Sequence, residues 1–216
     1  MNLYFISGLG ADKRMFQKLV LPECFTIQYI DWVPVLKNES LESYCRRLSE
    51  QIDPHKPFSL VGLSFGGLIS VEMSKFLSPV QTVLISSFYL KREVPWFYAF
   101  LSETGLYKLL PAQIMLKPSH LIFRLFGAYN PTAKDLLKNI LQDTDPVFFR
   151  WALVQMFSWD NDWKPKNLLR IHGTADRVLP YKSNMNAIPV AGGEHLMVYS
   201  KWEIVSEILS EKLQLA

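Results

Sequence analysis

One eight-residue stretch restricts the possible folds of this chain more than any other. Residues 60–67 read LVGLSFGG: an apolar run, a turn with one serine at its centre, and the start of a helix. The spacing Gly62-x-Ser64-x-Gly66 is typical of a nucleophile elbow, a sharp strand-to-helix turn that lifts a serine hydroxyl above a sheet. The flanking glycines are expected because the backbone comes too close for side chains there. Chance supplies this pentapeptide in roughly one chain in ten of this size, so its context decides its meaning.

Short apolar runs and amphipathic segments alternate along much of the chain. Continuous apolar runs suit strands that are buried on both faces, as in a parallel sheet. Ser40 is a suitable cap for a helix with an apolar stripe, and another helix follows Ser64 to about Leu77. This alternation predicts a three-layer α/β/α sandwich with a mostly parallel sheet. The predicted strands are residues 3–6, 25–30, 58–62, 82–85, 168–172 and 187–190, and a last helix covers about 201–213.

The alternation stops between about residues 88 and 165, where the pattern is helical throughout. Thr132 and Asp135 resemble a capping box, and Asp145 followed by Pro146 resembles a cap and first turn. We therefore predict one domain, 1–216, with a core formed by residues 1–87 and 166–216 and a helical insertion at 88–165.

Composition excludes several classes of protein. The 216 residues are 49% hydrophobic and 20% charged, which is typical of a folded globular chain. A net charge of +3, with no basic block interleaved with aromatics, gives nucleic-acid binding little support. Two cysteines make a disulfide framework unexpected, and Cys45 on an apolar helix face predicts a buried free thiol. No apolar run has membrane-spanning length and no basic leader is present, which favours a soluble cytoplasmic protein.

A serine hydroxyl needs a base to become a nucleophile, and four histidines are candidates. His55 precedes a strand, His120 lies in the helical insertion, and His172 ends a strand and is expected to be part of a packed turn. His195 follows the last predicted strand. Loops that follow parallel strands gather at the edge where the elbow lies, so His195 is the predicted base.

The base needs a carboxylate to fix its tautomer, and Asp176, in the loop after the fifth strand, is the predicted acid. The loop after the fourth strand has no acid before Glu93. Glu194 is predicted to be a solvated neighbour of the base. No group of histidine, cysteine and carboxylate residues has metal-ligand spacing. The alternative role for Ser64 is a turn serine in a nucleotide-binding or flavodoxin-like sheet. A phosphate loop at Gly8-Leu9-Gly10 has poor support because the G-x-G-x-x-G continuation and the P-loop lysine are missing.

Taken together, these segments resemble the α/β-hydrolase superfamily, whose catalytic residues run Ser, Asp or Glu, then His. The matching parts are the glycine loop after the first strand, the elbow, the H-G-x-x-D stretch ending at Asp176, and the loop of His195 before a final helix. The resemblance implies an oxyanion hole made by the backbone N–H groups of Leu9 and Phe65. Ser7 stands where the family often has histidine, and the family's leading antiparallel hairpin is expected to be absent.

The resemblance also implies an activity. It predicts a cofactor-free serine hydrolase that cleaves a carboxylic ester or thioester of a small apolar acyl substrate through an acyl-enzyme. The same three residues serve carbon–carbon hydrolases, peptidases and cofactor-free lyases, and the fold also occurs in small-molecule-binding proteins. These alternatives stay open, as does the oligomeric state.

The insertion resembles the cap of many family members. It is rich in aromatic residues, among them Trp96 and Phe97, which we predict to line an apolar substrate pocket. The alternatives are that these aromatics form the insertion's own core, or that they dock on a membrane surface.

Overall fold

A six-stranded sheet lies at the centre of the computed structural model, which describes residues 1–105, 107 and 111–214. Its strands are β1 (Asn2–Ile6), β2 (Thr26–Ile30), β3 (Phe58–Leu63), β4 (Thr82–Ile85), β5 (Leu168–Gly173) and β6 (Ile188–Val190). Their order across the sheet is β2-β1-β3-β4-β5-β6, and every pair in the described part of the chain is parallel. The predicted strands differ from these by at most one residue at either end, so the predicted parallel sheet is confirmed.

Both faces of the sheet are buried, which explains the continuous apolar runs in the sequence. Successive side chains of a strand point to opposite faces. On β1, Leu3 and Phe5 belong to the apolar cluster on one face. Tyr4 and Ile6 belong to the cluster on the other face. The molecule therefore has the three-layer α/β/α architecture predicted from the alternation.

The first two α-helices, α1 (Leu41–Leu48) and α2 (Phe65–Ser74), cover one face of the sheet. The Ser40 side chain accepts a hydrogen bond from the Ser43 N–H, so the predicted cap of α1 is confirmed. Cys45 is a buried free thiol, as predicted. Helix α2 ends at Ser74, earlier than predicted. Residues 75–77 follow it as a turn, in which their N–H groups donate to the Glu72 and Met73 carbonyls.

Between β4 and β5 the chain forms a helical insertion at the carboxyl edge of the sheet. Asn130, followed by Pro131, caps the helix Pro131–Asp143, and the Asn130 side chain accepts from the Ala133 N–H at 2.8 Å. The capping box predicted two residues later is therefore wrong, because asparagine is a strong cap and the proline fixes the first turn. The predicted cap at Asp145 is confirmed by its bond from the Val147 N–H. These helices are α3 (Trp96–Thr104), α4 (Ala112–Met115), α5 (His120–Phe126), α6 (Pro131–Asp143) and α7 (Pro146–Ser158).

The boundaries of core and insertion at residues 87/88 and 165/166 stay a prediction, and residues 106 and 108–110 of the insertion lie outside the described residues. Helices α8 (Met197–Ser200) and α9 (Trp202–Lys212) complete the second face of the sheet, where Val205 and Leu209 are fully buried. Within the described ranges, no helix is both long and apolar enough to cross a bilayer.

Candidate active site

Ser64 occupies the turn between β3 and α2, at the carboxyl edge of the sheet. Its φ of 52° and ψ of −117° are rare for a residue with a side chain. Such conformations cost about 1–3 kcal/mol and persist only where the surroundings hold them. The Ser64 N–H donates to the Ile85 carbonyl at 2.9 Å. The Ser64 carbonyl accepts from the Gly67 N–H at 2.9 Å and from Ser87 Oγ at 2.7 Å, so hydrogen bonds hold the turn on both sides.

The glycines of the turn are required by close contacts between backbones. A Cβ atom on Gly62 would overlap the carbonyl of Gly66. A Cβ atom on Gly66 would overlap the Ile6 and Ser7 carbonyls at the end of β1. The crowding predicted for these two positions is therefore confirmed, and it explains how α2 can start directly above the sheet.

The loop after β6 brings His195 to the Ser64 side chain. His195 Nε2 lies 3.0 Å from Ser64 Oγ, and His195 Nδ1 lies 2.8 Å from Asp176 Oδ2. His195 is 4% exposed, and the ring of Phe126 packs edge-on against it with a centroid separation of 5.3 Å. The serine, histidine and aspartate singled out in the sequence thus form one hydrogen-bonded chain.

Both carboxylate oxygens of Asp176 accept hydrogen bonds. Oδ1 accepts from the N–H groups of Val178 at 2.9 Å and Leu179 at 2.8 Å, while Oδ2 faces His195. Burial alone would raise the pKa of Asp176, but the charge and hydrogen bond of His195 and the Leu179 N–H outweigh it, so the pKa is lowered. Asp176 is therefore an ionised, fully enclosed acceptor.

The ionised Asp176 determines which nitrogen of His195 carries the proton. A carboxylate only accepts hydrogen bonds, so Nδ1 of His195 must donate to it. In the neutral ring, Nε2 then presents a lone pair to Ser64 Oγ at 3.0 Å. This arrangement allows His195 to remove the proton of the Ser64 hydroxyl.

The other histidines lie elsewhere. His172 is buried at the end of β5, where Nε2 lies 2.7 Å from the Leu179 carbonyl and 3.7 Å from Asp176 Oδ2. Burial lowers the pKa of His172, so the ring is neutral and donates to Leu179. His55 and His120 are exposed, in the turn before β3 and at the start of α5. His172 thus packs in the turn that carries Asp176, as the sequence predicted.

The predicted oxyanion donors both lie close to Ser64. Phe65 follows Ser64 directly in the chain. A Cβ atom on Gly8 would lie 3.2 Å from Ser64 Cβ, which places the loop of Leu9 against Ser64. In the described residues, neither the Leu9 N–H nor the Phe65 N–H donates to a protein acceptor. Both groups are available, and their role stays a prediction.

The two predicted pocket residues lie at the start of α3. Trp96 is 79% exposed, and its ring packs edge-on against Phe97 with centroids 6.0 Å apart. Phe97 is half-buried and also packs on Tyr98. Tyr98 is half-buried, and burial together with the charge of Asp176 raises its pKa to about 12. The sequence reasoning did not single out Tyr98 among the aromatics of the insertion.

Glu194 is not the solvated neighbour that was predicted. Its Oε1 accepts from Arg177 Nη1 at 2.8 Å and from the Tyr129 hydroxyl at 2.7 Å. The prediction was wrong because Tyr129 belongs to the insertion, and no local sequence pattern shows how the insertion packs against the loop of Glu194. The sequence does contain one indication of this ion pair. Arg177 directly follows Asp176 and Glu194 directly precedes His195, so two opposite charges flank the predicted acid and base.

A cavity of about 250 Å³ opens beside the loop after β1. Its walls come from that loop, from the segment after β2, and from α6 and α7. Lining residues include Gly10, Asp12, Trp32, Asp143 and Phe148. Throughout the described part of the chain, no three histidine, cysteine, aspartate or glutamate residues form a group that could hold a metal ion.

Comparison with known proteins identifies the fold. No protein-family model and no curated protein matches the chain in sequence. Solved structures match over almost the whole chain. An enol-lactonase from Burkholderia xenovorans LB400 is 16% identical with a TM-score of 0.69, covering 97% of this chain and 90% of its own. The chain has the α/β-hydrolase fold.

Further proteins of the α/β-hydrolase fold match equally broadly. A thermophilic esterase from Thermogutta terrifontis is 14% identical with a TM-score of 0.68, covering 98% of this chain and 88% of its own. The RedJ thioesterase from the prodiginine pathway of Streptomyces coelicolor is 13% identical with a TM-score of 0.64, covering 99% and 90%. At identities this low, the structural match establishes only the shared fold. The chemistry has to be argued from the geometry of the site.

Proposed function

We propose that this protein is a serine hydrolase that cleaves a carboxylic ester or thioester. The observation that carries the proposal is the chain of hydrogen bonds from Ser64 Oγ to His195 at 3.0 Å and from His195 to Asp176 at 2.8 Å. The strained turn at Ser64 adds support, since strain of this kind is retained at functional sites. The esterase, lactonase and thioesterase with the same fold all act on acyl carbonyls by their names.

The proposed reaction has two halves. His195 Nε2 takes the proton of Ser64 as Oγ attacks the acyl carbonyl, and the protonated ring then gives that proton to the departing alkoxide or thiolate. Water attacks the resulting acyl-enzyme, again with His195 as base, and Ser64 recovers its proton as the acid leaves. Asp176 keeps the ring in the required tautomer and stabilises it while protonated.

In this proposal the negative oxygen of each tetrahedral intermediate is held by the N–H groups of Leu9 and Phe65. Their lack of protein acceptors in the described residues supports this role. Preorganised donors of this kind are each worth about 3 kcal/mol in the transition state. Because they are backbone groups, Ser7 in place of the family's histidine does not remove them.

We further propose that the substrate is small and largely apolar. The catalytic edge of the sheet is covered by the aromatic-rich insertion, including Phe126 against His195. Trp96 and Phe97 at the start of α3 are proposed to contact the substrate from the solvent side. Tyr98, half-buried and near Asp176, is proposed to reach deeper into the same space.

The experiment is hydrolysis of a panel of esters and thioesters of increasing acyl length by the parent protein and by Ser64→Ala. We expect Ser64→Ala to lower kcat/KM by at least about 10³-fold with an unchanged thermal midpoint. Ser49→Ala, a serine at the end of α1, is the control and should retain full activity. A folded Ser64→Ala protein that hydrolyses the panel at the parent rate would contradict the proposal.

The panel also separates the alternatives. Activity on thioesters alone would narrow the leaving group to a thiol. A parent protein that binds apolar acyl compounds but hydrolyses none would favour the small-molecule-binding protein on the same fold.

A further inference from the structure

Three side chains form a polar cluster beside the proposed catalytic group. Arg177 Nη1 donates to Glu194 Oε1 at 2.8 Å and also to the hydroxyl of Tyr129. The Tyr129 hydroxyl donates in turn to Glu194 Oε1 at 2.7 Å. Each side chain therefore contacts both of the others, and we refer to Arg177, Glu194 and Tyr129 as the clamp.

The clamp connects the two loops that carry the acid and the base. Arg177 follows Asp176 directly, and Glu194 directly precedes His195. The ion pair between Arg177 and Glu194 thus fixes the separation of these loops one residue away from the bond between Asp176 and His195. A change in that separation would alter the direction of the His195 ring toward Ser64.

The clamp also attaches both loops to the end of α5. Arg177 Nη1 donates to the Arg124 carbonyl at 3.2 Å, and the Leu196 N–H donates to the Phe126 carbonyl at 3.1 Å. Gly127, with a φ of +79°, lies so close to Glu194 that a Cβ atom there would overlap the Glu194 side chain. The insertion is therefore attached to both loops at the place where Phe126 packs on the ring of His195.

We propose that Arg177, Glu194 and Tyr129 are positioning residues that hold His195 at hydrogen-bond distance from Ser64. The inference rests on the proposed function and deepens it. None of the three is assigned contact with the substrate. Arg177 and Glu194 act through the backbone they share with Asp176 and His195, and Tyr129 acts through its hydrogen bonds to the Arg177 and Glu194 side chains. Tyr129 couples the arrangement to the insertion, so the position of α5 and the alignment of the base change together.

The exposure of the clamp side chains determines whether their removal should affect stability or catalysis. The side chain of Arg177 is 44% exposed and that of Glu194 is 13% exposed. Solvent reaches the pair at its Arg177 end, and ion pairs with such access to water contribute little to global stability. Catalysis is far more sensitive, since a misplacement of about 1 Å can cost about 100-fold in rate. We therefore expect a loss of kcat without a matching loss of thermal stability.

The test uses Glu194→Gln and Tyr129→Phe in the full chain, with the best ester of the panel. Each is expected to lower kcat about tenfold while KM changes less than about twofold. The double variant should be little worse than either single variant, because all three side chains act as one unit. Arg177→Lys, which keeps the positive charge and an N–H donor group, should lose less kcat than Arg177→Gln. Glu42→Gln, which removes the exposed Glu42–Arg46 pair on α1, is the matched control and should leave kcat unchanged.

The split between kcat and KM distinguishes positioning from a structural role, and two further readouts test whether the clamp holds the two loops. High salt screens an ion pair that solvent reaches, here at the 44% exposed side chain of Arg177. In 1 M KCl the kcat of the parent should therefore fall part of the way toward that of Glu194→Gln, and the kcat of the variant should change less. Amide hydrogen exchange in residues 173–179 and 191–196 should be faster in Glu194→Gln and Tyr129→Phe than in the parent. This exchange measurement does not depend on knowing the substrate.

The outcomes separate this inference from the proposed function. If the parent hydrolyses no ester or thioester, the proposed function fails, while faster exchange in the variants still supports the clamp. If the parent is active and both variants keep its kcat, the clamp is overturned and the proposed function stands. A rise in KM at constant kcat also overturns it, since it would indicate a substrate contact. Should Glu194→Gln fail to fold, Tyr129→Phe removes a single hydroxyl of an exposed residue and decides the question alone.

Discussion

Replacing Asp176 by asparagine removes one charge from the centre of the proposed catalytic group. The side chain keeps its shape, and its amide oxygen can still accept from the Val178 and Leu179 N–H groups that now bind Oδ1 at 2.9 and 2.8 Å. The amide nitrogen then faces His195 Nδ1. Because that nitrogen only donates, Nδ1 must become the acceptor, and the ring proton moves to Nε2. A protonated Nε2 facing Ser64 cannot take the serine proton.

The expected loss follows from this change of tautomer. Where an acid of this type is replaced by asparagine with the geometry retained, kcat falls about 10⁴-fold, or about 5 kcal/mol at 1.36 kcal/mol per factor of ten. The leftover activity would come from the oxyanion donors and from binding. KM should change little, because Asp176 has no proposed contact with the substrate.

The assay is steady-state hydrolysis of the best ester at pH 7.5 by the parent, Asp176→Asn and Asp160→Asn. Asp160 is exposed and paired with Lys91 at 2.9 Å, so its variant controls for the chemical change and should be fully active. A folded Asp176→Asn protein with kcat within tenfold of the parent would refute the tautomer argument.

The same variant tests the ionisation of Asp176. Its pKa is lowered in the folded protein, so the stability it contributes is present above its unfolded value of about 3.9 and is lost as the pH falls through the folded pKa. The difference in free energy of unfolding between the parent and Asp176→Asn, measured in urea, should therefore shrink on acidification below about pH 4. A difference that grows on acidification would contradict the lowered pKa.

Three further predictions concern the surrounding structure. Gly66→Ala should lower the free energy of unfolding by about 3 kcal/mol, because its Cβ would overlap β1. Gly192→Ala, where φ is +62° and the surrounding space is open, should lower it by only about 1 kcal/mol. Equal losses for the two variants in urea titrations would contradict this reasoning. Tyr44→Phe should cost about 2 kcal/mol, since the Tyr44 hydroxyl donates to the Val33 carbonyl and accepts from its N–H; an unchanged urea midpoint would contradict this. Burial lowers the pKa of His172, so the unfolded chain takes up a proton at a higher pH than the folded protein does. The free energy of unfolding should therefore fall as the pH drops below about 6.5. In His172→Gln the free energy of unfolding should depend less on pH in this range, as urea titrations at several pH values would show.

The sequence predicts the sheet well because each strand is encoded locally. Residues 82–85, TVLI, are rich in β-branched side chains and match β4 at both ends. The direction of the strands follows from the alternation, and it places the loops of Asp176 and His195 at the edge of the elbow. The association of Ser64, His195 and Asp176 could thus be anticipated from topology, without any knowledge of side-chain geometry.

The insertion is less predictable because its packing depends on contacts between distant residues. Tyr129 reaches Glu194 across 65 residues and Arg177 across 48, and no local pattern encodes such pairs. The same limit applies to Trp96, whose aromatic character gave no indication of its high exposure at the start of α3. The start of α6 is encoded locally, but two patterns overlap there. Thr132 and Asp135 resemble a capping box, whereas the helix actually begins after Asn130, which caps it and is followed by Pro131.

The central claim is that Ser64 is an activated nucleophile, and covalent labelling tests it most directly. The folded parent protein, treated with a fluorophosphonate probe, is expected to gain one probe mass per chain, located by peptide mapping at Ser64. Ser64→Ala should gain none, and His195→Gln should react far more slowly because the base is lost. A folded parent protein that remains unlabelled, or that carries the probe at another residue, would contradict the account.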